Sequence, residues 1–193
     1  MKRIVVKMVW PTEEPVLAGR LSGKRAFLAA LGKLPEMIEP TLVVLDFAGV
    51  DIATSSYLSE LVLPLRDHLR MRRQFGYVVV ANVADGVHEE IEEMLCRSGD
   101  AVLICNMTAA GDISDVRLCG NLEHTLRETL RLVSAKGETT AAQLHDESRI
   151  ADPVGATAWN NRLASLAAKR LLVEILRGRN KKYRPVLEVA GGT

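Results

Sequence analysis

Thr41-Leu42-Val43-Val44-Leu45-Asp46-Phe47 is a near-continuous apolar run of strand length, and Ala48 to Thr54 after it is a loop of mostly small residues. Ser55-Ser56-Tyr57-Leu58-Ser59-Glu60-Leu61 then opens a helical pattern. This order predicts a strand, a loop and a capped helix, with the strand central and buried on both faces. Ser55 or Ser56 falls where an N-cap is wanted, since a side-chain oxygen there accepts from one of the helix's orphan N–H groups. The positive end of the helix dipole lies at the same place and favours an anion, a phosphate included.

Working outward, Arg3 to Trp10 reads as a first strand ended by Pro11, and Ser22 can cap a helix with Phe27, Leu28, Leu31 and Leu34 on its core side. The helix after the central strand is expected to run to about Arg73, with Leu58, Leu61, Val62, Leu65 and Leu69 inward. Pro64 inside it predicts a kink or break near Glu60 to Pro64. Arg66, Arg70, Arg72 and Arg73 read as a solvated face. Tyr77 to Ala81 is a second buried strand, Val87 to Ser98 an amphipathic helix with an acidic face at Glu89, Glu90, Glu92 and Glu93, and Ala101 to Asn106 a further strand. Strands alternating with helices imply an α/β domain, a mixed sheet covered by helices, over 1–110.

Val43 to Leu58, and Thr54-Ser55-Ser56-Tyr57-Leu58 above all, resembles the STAS domains, the fold of bacterial anti-sigma-factor antagonists. In that family a buried strand leads to an Asp-Ser-Ser-Gly-Leu loop whose serine is phosphorylated. Here Thr54 stands in place of the Asp and Tyr57 in place of the Gly, which is closer to a divergent STAS-like group of unknown function. The resemblance covers roughly Met1 to Met107. It implies a switch loop at Thr54, Ser55 and Ser56, with Ser55 or Ser56 as phosphoacceptor, and a protein partner such as a kinase or anti-sigma-like protein. The plainer alternative is that the serines only cap the helix.

Thr108-Ala109-Ala110-Gly111-Asp112 is small and polar and reads as a linker. Beyond it, Leu122, Leu126, Leu130 and Val133 mark a helix, and Thr140-Ala141-Ala142-Gln143 is a capping-box sequence opening a short second one. Asp152-Pro153 opens a third, with Ala156, Trp159, Leu163 and Leu166 inward. Leu171 to Leu176 and Tyr183 to Val186 read as strands of a basic hairpin, the second held to a sheet edge by Pro185. Three helices and a hairpin resemble an α+β winged helix-turn-helix domain, covering Val116 to Glu188 within a domain at 115–190. The resemblance implies double-stranded DNA as partner. Thr157, Asn161, Arg162 and Ser165 would face base edges, while Lys169, Arg170, Arg177, Arg179, Lys181, Lys182 and Arg184 would neutralise phosphates.

Charge follows the same division. Met1 to Ser114 carries 12 Lys and Arg against 15 Asp and Glu, and Asp115 to Thr193 carries 13 against 9. An acidic front and a basic back suggest two tasks. Cys96, Cys105 and Cys119 are an odd number without CxxC spacing, and no apolar stretch approaches the roughly 20 residues that span a bilayer. The expectation is a reduced, cytoplasmic protein with no membrane association, no signal peptide, no metal and no cofactor. His68, His88, His124 and His145 fall on separate helical segments without ligand spacing. Gly19 to Arg25 approximates a P-loop, but has one residue too few between its glycines and Arg25 where Ser or Thr is needed. Asp46 and Asp51 flank the switch loop, and no nucleophile–base pair accompanies them, so a non-enzymatic reading follows. The sequence therefore suggests a bacterial regulator that senses a partner and binds DNA, with a homodimer among the partners it allows. An adaptor binding proteins through both domains is the alternative.

Overall fold

The order of strands in the main sheet decides where every helix of the first half must lie. In the computed structural model, which describes residues 1–9, 15–71, 75–148, 154–177 and 180–189, β1 (Lys2–Lys7), β3 (Thr41–Asp46), β5 (Gly76–Ala81) and β6 (Ala101–Met107) are parallel neighbours in that order. The helices α1 (Arg20–Lys33), α2 (Ser55–Met71) and α3 (Asp85–Ser98) are their three crossovers. Right-handed crossovers between consecutive neighbours bring every helix back onto the same face. The packing agrees: Val6, Leu45, Val80 and Ile104, in register across four strands, share one cluster with Ala30 of α1, Leu61 and Leu65 of α2, and Ile91 and Leu95 of α3. Leu42, Val44, Val79 and Leu103 are equally buried, so β3 and β5 are enclosed at every residue, as their apolar runs require.

A fifth strand, β7 (Ile113–Gly120), turns back antiparallel on β6 and makes the sheet mixed. Thr108 to Asp112 is therefore the turn of a hairpin and not an interdomain linker, its Gly111 N–H donating to Thr108 O and its Thr108 N–H to Asp112 O. The chain divides into two compact units at Asn121/Leu122, later than the sequence suggested. Two residues of β2 (Val16–Leu17) pair with two of β4 (Ile52–Ala53) in a separate parallel ribbon.

Three expectations need correction here. Of the kink or break expected at Pro64, the break is absent: helix α2 runs continuously through it. Leu28 does not face the core; it is 63% exposed, and α1 packs instead through Gly23, Ala26, Phe27, Ala30 and Leu31. At Gly23 a Cβ would lie 2.4 Å from the Tyr57 carbonyl oxygen, so α1 and α2 approach as closely as their backbones permit. Arg66 is not solvated: only 4% exposed, it donates to Asp67 at 2.9 Å and to Asp100 at 2.5 Å, the latter in the turn between α3 and β6. Asp100 also accepts from the Ala101 N–H, so one carboxylate ties α2 to the start of β6.

In the second unit, α4 (His124–Lys136), α5 (Ala141–Ser148) and α6 (Ala156–Ala168) precede the hairpin of β8 (Leu172–Arg177) and β9 (Asn180–Pro185). The capping box forms as expected: Gln143 N–H donates to Thr140 Oγ1, and Thr140 N–H to Gln143 Oε1. Asp152-Pro153 lies outside the described residues, and Gly155 precedes the first turn of α6.

Two measurements test this packing. Gly23→Ala should destabilise the protein by about 1–3 kcal/mol despite alanine's better helix propensity, because the α1–α2 contact is overpacked. Asp100→Asn should cost about 3 kcal/mol, the low end for breaking a buried ion pair, since Asp67 still faces Arg66. Both are read from urea midpoints. Cys105 and Cys119 are buried, which pushes their thiols up to about 11 and about 12, while Cys96 is exposed. One thiol of three should therefore react with a disulfide reagent before unfolding. Because the fold retains protons that the unfolded chain releases, stability should fall as pH rises above about 9.

Candidate functional site

The loop after β3 is shaped by its own backbone. Val50 N–H donates to Phe47 O, Gly49 takes the left-handed conformation the turn needs, and Thr54 N–H donates to Leu17 O. Thr54, not Ser55 or Ser56, occupies the N-cap position, its carbonyl accepting from the Tyr57 and Leu58 N–H groups at 2.9 and 3.0 Å. Its hydroxyl lies 3.0 Å from that of Ser56 and accepts from the Gly19 N–H at 3.4 Å. The Ser55 N–H donates to Glu90 Oε2 of α3 at 2.8 Å. A carboxylate thus already neutralises the positive end of α2, where the dipole favours a negative charge. Beside it, Ser55, Ser56 and Ser59 of α2 and Met94 and Arg97 of α3 line an open groove of about 370 Å³ that reaches Arg20.

Sequence reading missed the network just behind the loop. Asp46, 7% exposed, accepts from the Ala48 N–H and, at 2.8 Å, from Asn82 Nδ2. Asn82, itself in the left-handed region, accepts from the Met107 N–H at 2.8 Å. The two side chains bracket the C-terminal ends of β3, β5 and β6, the edge where α/β sheets carry ligands. The sequence marks Asp46 beside the loop; for Asn82 the one hint is its position immediately after a strand, because asparagine tolerates positive φ.

On α6, Trp159, Leu163 and Leu166 are buried as expected, whereas Ala156 is exposed. Thr157, Asn161 and Ser165 are exposed and, four residues apart, form one row along the helix. Arg162 is not in that row: it is half-buried, its guanidinium 4.8 Å from the Trp159 ring centre, a cation–π contact. Lys169 and Arg170 form the turn after α6, where Leu171 N–H donates to Leu166 O and Arg170 N–H to Ala167 O. That is the hydrogen-bond pattern of a Schellman cap, with Arg170 at the left-handed position (φ 62°) usually given to glycine.

The hairpin is tied back to the helices. Thr139, between α4 and α5, exchanges backbone hydrogen bonds with Tyr183 of β9 at 2.9 and 2.8 Å. Tyr183 is buried, which together with neighbouring Glu174 pushes its phenol up to about 12. Lys181 pairs with Glu174 at 3.1 Å and Lys182 with Glu138 at 2.8 Å, while Arg184 is half-buried. Of Arg177 only the backbone is described, and Arg179 lies outside the described residues.

Among the described residues no three His, Cys, Asp or Glu side chains gather as a metal site needs, and no helix is long and apolar enough to cross a membrane. Searches against protein-family models, curated proteins and solved structures find no match for this chain.

Glu90→Gln keeps an acceptor for the Ser55 N–H but removes the charge, and should lower stability by about 0.3–1 kcal/mol, the range for a charge at a helix end, with the urea m-value unchanged.

Proposed function

We propose that this protein is a regulator in which Leu122–Thr193 is a winged helix-turn-helix unit that binds double-stranded DNA and Met1–Asn121 is a STAS-like unit that engages a protein partner. One observation carries the reading of the second unit: the exposed row Thr157, Asn161 and Ser165 lies on the third of three helices that lead into a β-hairpin. A recognition helix needs short polar side chains on its outer face, because these reach base edges in the major groove without steric conflict. The Thr139–Tyr183 bridge supports it, since a wing must be fixed relative to the helix it accompanies. Leu122–Thr193 carries 12 Lys and Arg against 8 Asp and Glu, the sign that phosphate neutralisation requires.

For the first unit, support comes from the strand–loop–helix at β3–α2 and from the groove beside its switch loop, which Ser55, Ser56 and Ser59 line together with Leu63 and Met94. A phosphate on Ser55 or Ser56 would there meet the carboxylate of Glu90 at the helix end, so modification would act by like-charge repulsion. Loosening of the α2 start is the expected consequence.

The adaptor reading has one specific observation in its favour: Lys181 and Lys182 are each held by a glutamate, which lowers the charge the hairpin offers to a polyanion. A salt series separates the two. Duplex DNA binding should weaken linearly with log salt, and Lys181→Ala and Lys182→Ala should each flatten the slope by about 0.9 on every sequence. Asn161→Ala should instead cost about 1–3 kcal/mol on the preferred sequence and little elsewhere. Absence of duplex binding at low salt would leave the adaptor reading standing.

A further inference from the structure

Helix α1 carries a surface that neither the switch loop nor α6 explains. Its inner face meets α2 through the small residues Gly23, Ala26 and Ala30, with Phe27 and Leu31 packed on the core beside them. Directly opposite runs a stripe at helical spacing, Leu21, Arg25, Leu28 and Gly32, all exposed, the two leucines by 64% and 63%. A surface helix ordinarily turns its large apolar residues inward; α1 does so with Phe27 and Leu31 but leaves Leu21 and Leu28 in solvent.

The charge on α1 is as one-sided as its apolar stripe. It holds Arg20, Lys24, Arg25 and Lys33 and no acidic residue. The rest of Met1–Asn121 carries 9 Lys and Arg against 16 Asp and Glu, so α1 is a cationic ridge on an acidic unit. Arg20 faces Glu60 at 3.6 Å, with 76% of its side chain exposed.

We infer that the outer face of α1 docks an acidic amphipathic helix of a partner protein. The stripe from Leu21 to Gly32 is about 17 Å long, three turns, and so matches a helix laid alongside it. At Gly32 a Cβ would meet nothing within 4 Å, which leaves one end of the stripe open to close approach of a partner backbone. Charge complementarity names the partner's flanks: glutamates or aspartates set against Lys24 and Arg25. A second copy of this chain is the poorer occupant, because α1 against α1 sets cations against cations. An anionic membrane fits less well, since the stripe offers two large apolar residues and no aromatic one, Phe27 being packed inward. The inference does not rest on DNA binding or on the switch loop.

The probe is a synthetic amphipathic peptide about five turns long, with leucines along one face and glutamates flanking them, compared with the same peptide bearing lysines. Fluorescence anisotropy should show the acidic peptide bound and the basic one not. Reversing the ridge charges with Lys24→Glu and Arg25→Glu should weaken the acidic peptide at least tenfold and admit the basic one. Leu28→Ser should weaken it as well, and unchanged thermal melts would show each variant folded. Equal binding of both peptides, or acidic-peptide binding that survives the charge reversal, overturns the inference. So does sedimentation with phosphatidylserine vesicles in place of peptide binding, or a dimer that Leu28→Ser dissociates.

Discussion

Parallel strands paired in sequence order constrain everything else in the first unit. Right-handed crossovers then give the sheet a single helical face, with α2 between α1 and α3. That position explains why α2 is anchored at its start and along its second half by residues far away in sequence. Glu90 of α3 accepts from its first N–H, and Asp100, beyond α3, receives the guanidinium of Arg66 two-thirds of the way along it. The helix tolerates Pro64 in its interior because neighbouring turns and buried Leu61, Val62 and Leu65 hold it on the sheet. An edge helix has no such neighbours on its outer side, which is why the exposed leucines of α1 cannot be attributed to packing within this unit.

What was legible in the sequence was local. The apolar runs of β3 and β5, the periodicity of α2 and α4, and the Thr140–Gln143 capping box all encode their structure within a few residues. What was not legible depended on distant partners or on a broken period. Arg66 looked like one of a run of surface arginines, since nothing nearby shows that Asp100 will meet it. Glu90 looked like part of an acidic face for the same reason. Strand β7 escaped notice because its alternation is interrupted: Ile104 pairs with Arg117 and Asn106 with Ser114, so β7 has an extra residue there, with Asp115 at φ 51°. The boundary was drawn too early because the small, polar turn at Thr108 to Asp112, which joins β6 to this strand, reads as a linker.

The second unit depends on a smaller device. Tyr183 fills its core, bridges Thr139 through the backbone and donates its hydroxyl to Glu174 at 3.2 Å. Glu174 also holds Lys181, while Glu138 holds Lys182, so two glutamates set the electrostatics of the hairpin and one of them also anchors its packing. In the DNA-binding reading, these lysines exchange glutamate for phosphate on contact, and the exposed row of α6 does the discriminating.

The central claim is that α6 and the hairpin meet duplex DNA together. The most direct measurement follows backbone amide resonances of the protein while a random-sequence duplex is added at low salt. The account predicts fast-exchange shifts concentrated at Thr157, Asn161 and Ser165 and along β9, with the buried face at Trp159 and Leu163 little changed. Spectra that stay unchanged, or shifts confined to residues of Met1–Asn121, would contradict it.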